Sequence, residues 1–513
     1  MQQSQSKQQV GGILGFIERI GNKIPDITIL FISAFLLVCV VSAVLAQIHF
    51  NYVHPATGRP IEITNMLSGK ALVDLMSKMV TNYANFPPLS MVIVATLGIG
   101  IADGSGYINT GLKKILSITP KVLITPVVIL VGMLSHLGPD SGYVIIIPIA
   151  AYMFYAVGKH PLAGIAASFA GIAGAFAANY TPSAIDPVIQ GFTQSAAQII
   201  DPGYQVNVLC NYFYAFASTF IVIGACWWVT EKITNPWLWK ACPLDDDLDL
   251  GNENNSSITP SENRAFKIAT AVLLLMLTGL AAALYPADSI LRAPDGVIAS
   301  FKAPIMQSIV SLIFIFAALV GLVYGIACKS PKDVTAAMEE ITKTLVQLIV
   351  FYFFAAQFLY AFGASNMGAL IAVSGAEFLK SLNLPPQVTV FGIIVFVALL
   401  NLIITSASAK WAILAPIFVP MLMAVGIAPE LTQVAFRVSD SAVNVVTPMF
   451  AFYPLIILYC QKYVKNAGIG TLSSMMLPYT IALLVSLTFM LYLFWWLDIP
   501  LGFQADYVYP RRF

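Results

Sequence analysis

The chain has 513 residues, of which 58% are apolar and only 10% charged. Soluble proteins carry roughly a quarter charged residues, so this composition excludes an ordinary soluble enzyme and a disordered chain. The net charge of +1 provides no basic field for nucleic acid. What remains is an all-α polytopic membrane protein.

Residues 1–26 are polar and amphipathic, and read as a cytoplasmic N-terminal segment. Apolar runs of spanning length, about 20 residues each, then cover roughly 27–47, 88–104, 161–180, 206–230, 265–285, 304–327, 340–362, 430–456 and 473–497. The stretches at 69–84 and 366–382 mix charged and apolar residues, and read as interfacial or re-entrant helices rather than spans. Two further apolar stretches, near 122–158 and 387–426, are each broken at a small, polar tip. The first tip holds Ser135, His136 and Asp140; the second holds Thr405, Ser406, Ser408 and Lys410. That pattern predicts two re-entrant helical hairpins, since a non-helical tip at membrane depth needs protein or water around it.

The polar stretch 242–262 reads as a cytoplasmic linker between a first half (27–241) and a second half (263–498), with 499–513 as a tail. Its end, Thr259-Pro260-Ser261-Glu262, is a capping box with Pro at the first helical position. Lys113, Lys114, Lys121, Lys159, Lys462 and Lys465 fall on the linker's side, which sets the N-terminus inside. Arg511 and Arg512 fall on the other side and argue mildly against.

The chain repeats itself. Tyr143-Val144-Ile145-Ile146-Ile147-Pro148-Ile149 recurs at an offset of 268 residues as Trp411-Ala412-Ile413-Leu414-Ala415-Pro416-Ile417. Ala156-Val157-Gly158 and Pro161 recur as Ala424-Val425-Gly426 and Pro429. Asn179-Tyr180-Thr181-Pro182 is echoed by Asn444-Val445-Val446-Thr447-Pro448. The span count brings the two hairpins in from opposite faces. An inverted repeat with two broken elements meeting near the midplane is the architecture of secondary transporters.

Ionisable groups within such segments are costly and point to function. Arg437, Asp440, Ser441 and Asn444 share one helical face, which ends at the Pro448 break. The plain structural alternative is an Arg437–Asp440 ion pair that only joins helices. Asp186 follows the matching break at Asn179 and Pro182; a plain helix-end role is its alternative. Lys410 has two readings, snorkelling to the surface and contacting substrate. Ser406 and Ser408 lie where half-helix N–H groups would face an anion. Asn401, Asn444 and Asn179 offer oxygens for a hard cation, with Asp440 and Asp186 as the coupling carboxylates.

The six cysteines and four histidines form no metal-binding spacing. No nucleophile–base pair marks an enzyme, and no GxxxxGK[ST] sequence marks an ATP-driven pump. No cofactor is expected beyond a coupling ion, H⁺ or Na⁺. A channel is the less favoured alternative, because opposed tips suggest an occluded site.

At these residues the chain resembles the aminobenzoyl-glutamate transporter (AbgT) family. The likeness runs from Ile20-Gly21-Asn22-Lys23-Ile24-Pro25 through Val157-Gly158-Lys159-His160-Pro161 and Ser406-Ala407-Ser408-Ala409-Lys410-Trp411 to Arg437-Val438-Ser439-Asp440-Ser441 and Met476-Leu477-Pro478-Tyr479. The resemblance implies a homodimer in the bacterial inner membrane, with nine transmembrane helices and two opposed hairpins per subunit. It implies a scaffold part that dimerises and a transport part that holds both hairpins. It implies ion-driven uptake of p-aminobenzoyl-glutamate or, alternatively, proton-driven export of sulfonamide antimetabolites. The positions it marks are Asp186, Ser408, Trp411, Pro429, Arg437, Asp440 and Pro448, with Asn401, beside Asp440, at a sodium site. Thr405 and Lys410 depart from relatives that have Gly and Gln there. In this picture Arg437 binds a substrate carboxylate with both arms of its guanidinium, and Trp411 stacks on the substrate ring.

Overall fold

The computed structural model describes residues 25–53, 58–137, 141–245, 258–328 and 334–510, all helical in character. Asp140, at the first hairpin tip, and most of the 242–262 linker lie outside the described residues.

The first helix, α1 (Ile27–Leu45), starts where the Asp26 carboxylate accepts from the Thr28 N–H at 2.9 Å. Next come α2 (Gly69–Ala84) and α3 (Pro87–Gly104). The sequence reading set 69–84 apart from the following span. In the structure the two form one 36-residue run, Gly69–Gly104, long and apolar enough to cross a bilayer. Only Asn85 and Phe86 interrupt it, and Pro87 and Pro88 occupy first-turn positions that need no N–H partner.

A short arm, α4 (Tyr107–Ser117), then bends by 120° into the first hairpin, made of α5 (Ile124–Leu134) and α6 (Ser141–Ala156). Its counterpart arrives late in the chain. There α13 (Met367–Ser381) bends by 117° into the second hairpin, α14 (Pro386–Asn401) and α15 (Ala407–Met423). Each hairpin is followed by a broken helix: α7 (Pro161–Gly174) and α8 (Ile185–Ala197) in the first repeat, α16 (Pro429–Val443) and α17 (Tyr453–Gln461) in the second. The remaining long helices are α9 (Tyr212–Val229, continuing to Ala241), α10 (Pro260–Leu284), α11 (Ile309–Ala327), α12 (Val334–Ala364) and α18 (Ile469–Trp496). The capping box opens α10: Thr259 N donates to Glu262 Oε2 at 2.7 Å, and Glu262 N to Thr259 Oγ1 at 3.3 Å.

Among the described residues seven helices have crossing length and apolarity. The broken helices α7–α8 and α16–α17 fall where the sequence places the other two of its nine spans. An odd number of crossings (α7–α8, α9, α10, α11 and α12) separates the hairpins, so they enter from opposite faces.

The repeat is legible in the backbone. Gly158 and Gly426 both take left-handed φ, at +77° and +88°, where a side chain would clash with its own carbonyl. In each case the next N–H reaches back to a carbonyl five residues earlier, Lys159 to Phe154 and Ile427 to Leu422, both at 2.9 Å. Pro161 and Pro429 then start the following helix. Pro148 and Pro416 sit inside the second arm of each hairpin.

Packing crosses the repeats. α15 lies along α8, and α6 touches α17, so each hairpin leans on the far half of the other repeat's broken helix. Tyr143 stacks on Phe452 with ring centroids 4.4 Å apart, and Trp411 stacks on Phe436 at 4.5 Å. The hairpins and broken helices, with α9 and α18, form one unit. α1, α3, α10, α11 and α12 form the other, joined to it mainly through α3 against α8.

The first hairpin packs closely on α7. A Cβ built on Gly171 would lie 2.5 Å from the Ile129 carbonyl oxygen, whereas one on Gly224 meets nothing within 4 Å. Overpacking of this kind costs about 1–3 kcal/mol. Gly171→Leu is therefore expected to lower the melting temperature in detergent clearly, with Gly224→Ala unchanged. Equal melting of the two variants would show that α5 and α7 do not pack as described.

Candidate functional site

The site forms where the hairpins and the helix breaks converge, and two buried ion pairs define it. Neither is the Arg437–Asp440 pair weighed as the structural alternative. Arg437 leaves its own helix. Its Nη1 lies 2.7 Å from Asp186 Oδ1, and its Nε donates to the Phe176 carbonyl at 2.8 Å. Phe176 lies at the start of the break between α7 and α8 and Asp186 just past its end, so one guanidinium bridges the break of the other repeat. Asp186 is more than a helix-end residue. Its second oxygen accepts from Ser183 N at 2.7 Å and Ser183 Oγ at 3.1 Å, which closes the turn into α8.

Asp440 pairs with Lys410. Nζ lies 2.5 Å from Asp440 Oδ1, and both side chains are 1% exposed. The snorkelling reading of Lys410 is thereby corrected: its amine turns inward because a buried carboxylate, unpaired, would cost several kcal/mol. Lys410 Nζ also donates to Asn401 Oδ1, and to the Ile404 carbonyl at 3.1 Å. Asn401 Nδ2 donates to the Asp440 carbonyl at 3.1 Å, and Asn444 Nδ2 to Asp440 Oδ2 at 3.0 Å. The ion-coupling residues predicted on the second repeat are thus one cluster, with the lysine at its centre.

The breaks have local causes. Asn179 Oδ1 accepts from both the N–H and the hydroxyl of Thr181 at 3.3 Å, a turn that competes with the helix before Pro182. Thr447 Oγ1 donates to the Leu402 carbonyl at 2.8 Å, which fastens the break before Pro448 to the second hairpin tip. Tyr180 OH does the same for the first hairpin, donating to the Leu130 carbonyl at 3.0 Å. Ser406 caps α15, accepting from Ala409 N at 3.4 Å, with Ser408 buried one turn from the tip. Ser135 turns back onto the Gly132 carbonyl at 2.7 Å. Pro429 opens α16 and takes no part in the two ion pairs.

Trp411 offers no open face in this state. It is 1% exposed and stacked on Phe436, and its Nε1 donates to Thr193 Oγ1 at 2.9 Å. Thr193 donates in turn to Gln433 Oε1 at 2.6 Å, and Gln433 Nε2 to Asn211 Oδ1 at 2.7 Å. Sequence reasoning missed this relay. Gln433 lies one turn before Arg437 on the same stripe, which was the available signal; Thr193 and Asn211 carried none.

Four polar atoms near the two ion pairs are buried without a hydrogen-bond partner among the described residues: Asn179 Nδ2, Ser441 Oγ, Asn444 Oδ1 and Asp440 Oδ1, the last of which has the Lys410 ion pair alone. Beside them Asn179, Thr181, Asp186, Asn211, Tyr212 and Arg437 enclose a cavity of about 10 Å³, room for roughly one water. Val208 separates it from a cavity of about 370 Å³, lined by amides that include Gln190, Gln194, Gln198, Asn207 and Gln307. Gln190, Gln194 and Gln198 recur every fourth residue on α8, a stripe that the sequence displayed and the charge-centred reading passed over. The larger cavity lies at the end of α8 away from the linker.

Residues 12–509 match the AbgT putative transporter family. A p-aminobenzoyl-glutamate transport protein of Escherichia coli (strain K12) is 32% identical over 511 residues, covering 99% of this chain and 98% of that one. Two solved structures superpose over nearly the whole chain. The Neisseria gonorrhoeae MtrF structure, described as illuminating a class of antimetabolite efflux pumps, has a TM-score of 0.90 at 39% identity, covering 96% of this chain and all of that one. The Alcanivorax borkumensis YdaH transporter, described as having an unusual topology, has a TM-score of 0.87 at 36% identity, covering 93% of this chain and all of that one. The chain belongs to the AbgT family and is a multi-pass inner-membrane transporter.

A double-mutant cycle tests the cross-repeat pair. Asp186→Asn and Arg437→Gln are each expected to destabilise the protein, and their coupling to fall in the range of about 0.5–3 kcal/mol seen for residues in contact. Additive effects on melting would mean that the two side chains do not meet.

Proposed function

We propose that the protein is an ion-gradient-coupled secondary transporter of aromatic-amide carboxylates of the p-aminobenzoyl-glutamate type, working by alternating access between its two hairpins. The observation that carries this reading is the two buried ion pairs one turn apart on α16, one tying it to the first repeat's break and the other to the second hairpin. Asn179 at the first break and Ser441 and Asn444 before the second carry buried atoms without a hydrogen-bond partner among the described residues. Each buried polar group without a partner costs about 1–3 kcal/mol. A substrate that supplies the missing partners recovers that cost on binding.

Arg437 is the anchor for a substrate carboxylate. Its Nε and Nη1 are held by Phe176 and Asp186, which leaves Nη2 without a hydrogen bond among the described residues. A carboxylate arriving here competes with Asp186 for the guanidinium, so binding loosens the tie across the first repeat's break. Ser408 and the N–H groups at the start of α15 take a second carboxylate, as helix N-termini do. Trp411 reaches the substrate ring once the second hairpin swings off Phe436. Lys410 acts on substrate through Asp440 rather than by contact. Asp440, Asn401 and Asn444 form the coupling cluster, and Asp186 links it to the substrate through Arg437.

The amide-lined cavity of about 370 Å³ is of the size that takes small-molecule ligands. We read it as the vestibule on the face opposite the linker, with Val208 and Leu209 at its neck. The homodimer belongs to the scaffold unit. There α10 buries only Ala265 and Ala269 and leaves Leu274, Leu275 and Leu277 to lipid or to a second copy. A second reading, export of antimetabolites, is favoured by the likeness to MtrF and uses the same site in the opposite direction.

Proteoliposomes separate these readings. Saturable accumulation of radiolabelled p-aminobenzoyl-glutamate under an imposed ion gradient is expected. Arg437→Lys should weaken it by about tenfold or more, because a lysine cannot replace a planar fork held on two sides. Wild-type uptake by Arg437→Lys would remove the guanidinium from the substrate site. Absence of accumulation in folded, inserted protein would leave export as the reading.

A further inference from the structure

The family resemblance implies a sodium ion at Asn401 and Asp440, and the residues present do not fit one. The oxygens are suitable. Asn401 Oδ1, Asp440 Oδ1 and the Ile404 carbonyl are a side-chain amide, a carboxylate and an unwound backbone carbonyl, the donor set of a hard monovalent cation. A cation already holds them. The Lys410 ammonium makes all three contacts, with Asp440 Oδ1 at 2.5 Å and Ile404 O at 3.1 Å. An ammonium carries the same single charge as Na⁺, and here it makes two hydrogen bonds and one ion pair with the three oxygens.

We propose that Lys410 is a tethered cation standing in the place of a free one. The cluster in this protein takes no Na⁺, and removing the ammonium creates a Na⁺ site there. The surroundings are built for the lysine. Asn401 Nδ2 is fixed by the Asp440 carbonyl, which turns Oδ1 toward Nζ. Asn444 occupies the other Asp440 oxygen. The Phe436 ring lies 5.7 Å from Nζ and covers it from α16. The remaining nearby charges are already matched, since Arg437 on α16 is paired with Asp186 on α8. A Na⁺ entering beside Lys410 would add a second positive charge against the single Asp440 carboxylate. Binding therefore requires the ammonium to leave, and it is held on a side chain whose exposure is 1%.

The proposal rests on the transport reading only for its consequence, that the cycle needs no sodium. The binding claim stands apart, so it is tested on detergent-purified protein without substrate. Radioactive ²²Na⁺ binding and thermal melting are measured with NaCl or choline chloride at equal ionic strength. Wild type is expected to show no saturable Na⁺ binding and the same melting temperature in both salts. Lys410→Gln removes the charge but keeps most of the length. It should gain saturable Na⁺ binding and a melting temperature that rises with Na⁺ concentration, and adding Asp440→Asn should abolish both. Folded Lys410→Gln that ignores Na⁺ would overturn the proposal. Independently of how that variant folds, so would saturable Na⁺ binding to wild type that Asn401→Ala removes.

Discussion

A charge deep in a membrane protein must be paired, and in this chain the pairs are made between different elements of an inverted repeat. Arg437 on the second repeat's broken helix reaches the Phe176 carbonyl at the start of the first repeat's break and Asp186 just past its end. Lys410, just past the second hairpin tip, reaches Asp440 on the broken helix behind it. Each cation joins a carboxylate to a backbone carbonyl freed where a helix ends. That shared device closes the centre of the molecule. The breaks, the hairpin tips and the occluded cavity all depend on it.

The energetics favour function over stability as the reason for these pairs. Replacing a buried ion pair by well-packed apolar side chains is often neutral or stabilising, whereas removing one partner costs about 3–5 kcal/mol. A fold selected only to hold together would gain little from two such pairs. A transporter gains more, because a carboxylate or ion that competes for one partner releases a contact between moving parts. The polar relay Trp411–Thr193–Gln433–Asn211 runs beside the pairs and ties the second hairpin to α8, α16 and the start of α9. It positions these elements without touching the small cavity beside Arg437, except through Asn211.

Much of this was legible in the residues. The tips, the Pro-ended breaks and the repeat followed from Pro148 and Pro416, from Gly158 and Gly426, and from the two Asn–Thr–Pro runs. These residues have few backbone options, so they mark the same geometry twice. The stripe Arg437, Asp440, Ser441 and Asn444 was correct as a face of one helix. Its partners were not legible, because helical periodicity speaks only for neighbours in sequence. Asp186 lies 251 residues from Arg437, and nothing local distinguishes a lysine that snorkels from one that turns inward. The joining of 69–84 to the next span was missed because its charges suggested an interface. The amide stripe on α8 was missed because glutamine carries no charge to mark it.

The central claim is that the Lys410–Asp440 pair couples transport instead of merely joining helices. The direct measurement is on Lys410→Met combined with Asp440→Leu, which removes both charges and leaves apolar side chains of similar size. The account predicts melting close to wild type, with substrate reaching equilibrium across the proteoliposome membrane but never accumulating against its gradient. Gradient-driven accumulation at the wild-type level in that variant would contradict it.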